Sequence, residues 1–154
     1  MINQIERALA EVMHLLPQQI GLIAVNFAKQ RFVDQNWLNT SAQPWEKRKR
    51  RRRGGKKRQN GAVLVDSGRL KRSIRIISVT SDSVTIGTDV PYAQVHNDGY
   101  LGFQSVKAHT RKGRNVKAHI RMMDMPRRRF LGDSHDLVAQ IEKFITDEIK
   151  NATK

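Results

Sequence analysis

Lys47 to Arg58 reads KRKRRRRGGKKR, ten basic residues in twelve with only Gly54 and Gly55 between them. Like charges at this density repel one another and bury nothing, so no core helix or strand can run through the segment. The stretch 46–61 is therefore expected to be a disordered basic loop. The chain has 154 residues, which suits a single domain, 1–154, with one core. The parts before and after the run must then pack on each other.

Before the run, Ile2, Ile5, Leu9, Val12, Leu15 and Leu16 recur with a helical period. Pro17 lacks an N–H and disfavours helical geometry at Leu16, so it is expected to break or kink the run and to open a second helix. That helix reads through Ile20, Ile23, Ala24, Phe27, Ala28 and Phe32. Each stripe is read as a core face. From Asn39 to Gly61 the periodicity vanishes. Trp45 stands alone at the edge of the loop and is expected to anchor it on the core.

After the run, residues 67–74 predict a short helix with Asp66 or Ser67 as cap. Residues 74–80 and 83–88 are rich in β-branched side chains, and Ser81-Asp82 between them predicts a hairpin. Pro91 opens a second short helix through Asn97, and Gly99 ends it with positive φ. Val106-Lys107-Ala108-His109 is echoed by Val116-Lys117-Ala118-His119 around TRKGRN, which predicts an extended, exposed basic hairpin over 105–121. Asp133 or Ser134 caps a last helix, with Asp136 in its first turn. Its stripe is Leu137, Val138, Ile141, Phe144, Ile145 and Ile149. The whole predicts an α+β domain: N-terminal helices, a small antiparallel sheet with a long basic loop and an extended hairpin, and a C-terminal helix.

The formal net charge is +15, from 29 Lys and Arg against 14 Asp and Glu. Such a chain favours polyanions or acidic protein surfaces. Phosphates would be met by Lys47, Arg48, Lys49, Arg50, Arg51, Arg52, Arg53, Lys56, Lys57 and Arg58, without sequence preference. No cysteine is present, which excludes disulfides and thiolate metal sites. His109 and His119 can face each other across the hairpin, yet nothing nearby completes a four-ligand site, so no metal is expected. His96 near Asp98 lacks a nucleophile, so no catalytic residue, enzyme activity or cofactor is expected. No stretch approaches the roughly 20 apolar residues of a membrane span, and Met1–Glu6 does not start like a signal peptide. The expectation is a product of the cytoplasm with no membrane partner.

Three motifs in order resemble the phage virion morphogenesis family. These are LVDSGRLKRSI at 64–74, VTIGTDVPYAQVHNDG at 84–99 and MPRRRFLGDSHD at 125–136, with Trp45 ahead of the basic loop. The resemblance implies a structural virion protein, made in the bacterial host cytoplasm. It would act in tail completion or head–tail joining, as a ring, of six by the symmetry of tails, touching other tail and neck proteins. The rival is a free nucleic-acid-binding protein using the basic loop. The motif positions Trp45, Gly68, Leu70, Gly87, Tyr92, His96, Gly99, Arg127, Arg129 and Phe130 are the interface candidates. Among them Gly68, Gly87 and Gly99 read as backbone-geometry positions. Tyr92 and Phe130 read as packing anchors, His96 as locally hydrogen-bonded, and Arg127 and Arg129 as charges on one side of an extended segment.

Overall fold

The computed structural model describes residues 2–47 and 62–153. Residues Arg48 to Gly61, and with them most of the basic loop, lie outside the described residues.

A single helix, α1, runs from Ile2 to Asp34 with Pro17 inside it. The expected break at Pro17 is therefore corrected. An interior proline removes one backbone bond and costs about 3 kcal/mol. Here Leu16 and Pro17 are both buried, so packing at the proline itself offsets that cost. The same helix is long and apolar enough to cross a membrane by length and composition, with an 18-residue window of mean hydropathy 1.3. Its second half is the central helix of the core: Val25, Ala28 and Phe32 pack with Trp45, Leu70, Ile74, Val90, Ala93 and Phe130.

Among the described residues the strands form four separate two-stranded antiparallel sheets rather than one. β1 (Asn36–Leu38) pairs with β2 (Ala42–Pro44), a hairpin with no counterpart in the sequence reading. After α2 (Arg69–Ser73), β3 (Arg75–Val79) pairs with β4 (Val84–Gly87) across the expected Ser81-Asp82 turn, with an irregularity between Ile76 and Ser78. This hairpin lies on α1 at Gly21, where a Cβ would stand 2.7 Å from Val84 Cγ2. A glycine in a helix interior costs about 1 kcal/mol against alanine; here it admits the hairpin.

α2 is preceded by Gly68 at φ 70°, with no side-chain cap bond. Ser67 Oγ does accept from Arg69 N at 3.3 Å, but the left-handed turn falls on Gly68. Neither Asp66 nor Ser67 is the cap residue; Gly68 holds that position. α3 (Ala93–Asp98) ends on Gly99 at φ 78°, as expected.

β5 (Tyr100–Val106) and β8 (His119–Met125) make a seven-pair ladder, and β6 (His109–Arg111) with β7 (Arg114–Val116) make the tip. Lys112 and Gly113 turn it with φ of 51° and 74°. The hairpin is longer than the predicted 105–121. α4 (His135–Ala152) is capped by Ser134, whose Oγ accepts from Leu137 N, with Asp136 in the first turn. α4 packs along α1, yet none of its residues is fully buried.

Candidate functional site

Residues 126–131 are an extended strap threaded through the domain centre. Phe130 is 1% exposed, its ring centroid 5.0 Å from that of Phe32, which in turn meets Trp45 edge-on at 5.4 Å. Trp45 Nε1 donates to the Arg129 carbonyl at 2.9 Å. On the other side, Asn97 Oδ1 accepts from both Phe130 N and Leu131 N at 2.9 Å, and Arg128 N donates to the His96 carbonyl at 2.8 Å. Arg128 Nε reaches the Glu46 carbonyl at 3.0 Å. The strap thus joins the root of the basic loop to α3 and leads directly into α4.

Gly99 matters to this arrangement. A Cβ there would lie 3.0 Å from Arg127 N and 3.1 Å from Met125 O, on top of its positive φ. Both atoms are backbone and cannot step aside, so the VHNDG and MPRRRF motifs meet at this glycine. Gly68 also has positive φ, whereas Gly87 does not; there a Cβ would approach Ile77 Cγ1 to 3.3 Å. Gly87 is a close-packing position.

Several interface candidates are core residues instead. Trp45, Leu70 and Phe130 are 6%, 3% and 1% exposed and have almost no surface to offer a partner. Tyr92 is the reverse: at 41% exposed it is no buried anchor, and it meets the His96 ring edge-on at 5.8 Å. His96 makes no local ring bond through Nδ1, which is buried and lacks a hydrogen-bond partner among the described residues. Burial, and then the nearby Arg128 charge, lower its pKa from the ordinary 6.5. The neutral ring loses least by being enclosed.

Arg127 and Arg129 line one cleft of about 290 Å³ with Trp37, Asn39, Gln43, Pro44 and Trp45. Arg127 is exposed. Arg129 is half committed to structure, its guanidinium 4.7 Å from the Trp37 ring centre. A second cleft, about 440 Å³, lies where the loop leaves the domain, between Lys47, Leu64, Arg69, Tyr92, His96 and Arg128.

Both roots of that loop are held by one residue missed in the sequence, Gln35, in the left-handed region at φ 55°. Its carbonyl accepts from Trp45 N at 2.8 Å, and its side chain bonds both the N–H and the carbonyl of Val63. Of the loop's basic residues only Lys47 falls within the described region, at the rim of the larger cleft. Arg48, Lys49, Arg50, Arg51, Arg52, Arg53, Lys56, Lys57 and Arg58 lie outside it.

The arm of β5–β8 completes the site. His109 pairs with Val116 and His119 with Val106, so the two imidazoles are not cross-strand partners. Each turns back on its own strand, Nδ1 lying 2.9 Å from the carbonyl of Lys107 or Lys117. Among the described residues no group of three or more His, Asp or Glu could hold a metal.

The strap and the glycine contact bring the second and third sequence motifs together, and Leu70 and Ile74 of the first lie in the same core. A model of the phage virion morphogenesis family matches residues 1–150. The chain belongs to that family. No curated protein and no solved structure matches it significantly. Membership makes the protein a component of phage virion morphogenesis, and it extends over the flanking helices α1 and α4 as well as the motifs.

Proposed function

We propose that the protein is a tail-completion or neck subunit that works as a closed ring of six copies between head and tail. It is made in the host cytoplasm and carried in the virion, with other tail and neck proteins as partners and no catalytic role. The observation that supports this most is the division of labour in the domain. The motif residues fix a rigid centre, and that centre holds out a long arm and an exposed Arg127. A fixed body with projecting contacts suits a joint in which copies repeat around an axis. The test is genetic. Phage or prophage lacking the chain should yield separate heads and tails, and the chain should be found by mass spectrometry in complete particles. Normal infectious particles made without it would overturn the reading.

The second reading is non-specific nucleic-acid binding through Lys47–Arg58. It is favoured by the +15 net charge and by the basic arm tip, and it can coexist with a place in the neck.

A further inference from the structure

Among the described residues, β5 and β8 form a ribbon that no third strand joins. Directly paired residues share a face, and faces alternate along each strand. Leu101 pairs with Asp124, Phe103 with Met122 and Ser105 with Ile120. One face therefore carries Leu101, Phe103, Met122 and Ile120, which are 71%, 75%, 65% and 72% exposed. Scattered apolar residues are ordinary on a surface, but four together on a thin ribbon mark an interaction face.

A complementary surface exists on the same chain. α4 has no buried residue, and no described residue of α1 before Leu16 is buried. The two helices leave Ile5, Leu15 and Leu22 of α1, with Val138 and Ile149 of α4, between 36% and 52% exposed. Charge selects the pairing. Residues 100–125 hold six basic residues against one acidic, a net of +5. Residues 2–16 and 135–152 together hold six acidic (Glu6, Glu11, Asp136, Glu142, Asp147, Glu148) against three basic, a net of −3. In a chain of +15, these helix segments are net acidic. The dimensions agree too: seven paired residues span about 23 Å of ribbon, and the eighteen of α4 about 27 Å of helix.

We infer that the apolar face of the arm packs on the α1–α4 face of a second copy of this chain. This rests on the ring reading and names its joint. The contact is heterologous: each subunit gives one arm and receives one, so it repeats until the ring closes. It also places a basic projection of one copy against a net acidic surface of the next, which offsets part of their repulsion.

The chain contains no cysteine, so engineered ones are unambiguous. Full-length Phe103→Cys and Ile149→Cys proteins, mixed and mildly oxidised, should give chiefly the mixed dimer. The double variant should give a ladder that stops at the ring's copy number. Phe103→Asp, on an exposed side chain, should leave the circular dichroism unchanged and raise the concentration for half-assembly about tenfold or more. The inference is overturned if Phe103→Cys links mainly to itself, or if no 103–149 link forms in folded protein. It is also overturned if the arm instead binds phosphatidylglycerol vesicles with no such link. Any of these, with the chain still required for joined particles, sinks the joint and leaves the proposed function standing; dispensability in particles sinks the latter alone.

Discussion

The carboxamide of Gln35 takes both backbone groups of Val63, accepting from its N–H and donating to its carbonyl at 3.1 Å. Across 28 residues of sequence, a side chain does what a strand partner would do. The Gln35 carbonyl holds Trp45 at the same time. The ends of the basic segment are thereby fixed side by side on the core, whatever lies between them.

Gln35→Ala should therefore destabilise the fold by about 1–3 kcal/mol, the cost of leaving partly buried backbone groups unpaired. Urea unfolding followed by tryptophan fluorescence reads this directly, because Trp45 sits at the pinned root. A change under about 0.5 kcal/mol would show that water replaces both bonds.

Cutting the backbone inside 47–58 should leave two pieces that stay together. The Phe32–Phe130 contact and the Trp45–Arg129 bond cross the cut. Brief trypsin treatment followed by gel filtration should show both fragments in one peak, separating only in denaturant. Immediate loss of the whole chain would contradict a core shared by the two halves.

Phe130→Ala should cost about 3–5 kcal/mol, as truncation of a buried aromatic does. Arg127→Ala, at an exposed position of the same strap, should change stability by no more than about 0.5 kcal/mol. Thermal melts separate the two. Arg127 is then the variant with which to ask whether the strap touches a partner, since a defect in Phe130→Ala particles would only report unfolding.

Stability should fall as pH drops below neutrality, in part through His96. Its folded pKa lies below the ordinary 6.5, so between those values the unfolded chain binds the extra proton. The full contribution is present above pH 6.5 and is lost as pH falls toward the folded value, after which the slope vanishes. His96→Asn should flatten that part of a plot of urea midpoint against pH. An unchanged slope would place the titration elsewhere.

If the loop contacts DNA, changing Arg50–Arg53 to Ser should weaken binding and flatten its salt dependence. Each lost phosphate contact removes about 0.9 from the log–log slope. Fluorescence anisotropy on unrelated duplexes at several salt concentrations measures both. Unaltered affinity and slope would take DNA away from this segment.

Where a residue's consequence is local, the sequence made it readable. Ser134, three residues before an amide it caps, and the stripe of α4 announced the last helix; Gly99 announced the end of α3. The motif spacing pointed to the strap, and Phe130 read as the packing anchor that it is. What stayed hidden depends on distant partners. Pro17 reads as a break until it and Leu16 are seen to be buried. Gly21 is informative only once Val84 lies over it, and Gln35 only beside Val63. β1 and β2 are three residues each, too short for a period. The arm's full length was obscured because Leu101, Phe103, Ile120 and Met122 face away from the domain, so its inside–outside alternation carries no core signal.

The echo in the arm's sequence has a mechanical result. Val106-Lys107-Ala108-His109 and Val116-Lys117-Ala118-His119 place Lys107-Ala108 opposite Lys117-Ala118, and neither dipeptide belongs to a ladder. Both rails of the ribbon are thus interrupted at one level. Below it lies the apolar stretch; above it lies a three-pair tip carrying Arg111, Lys112 and Arg114. The arm is a jointed finger with its wrist at the double gap, where neither ladder continues and the cationic tip is held to the palm by the two chain crossings alone.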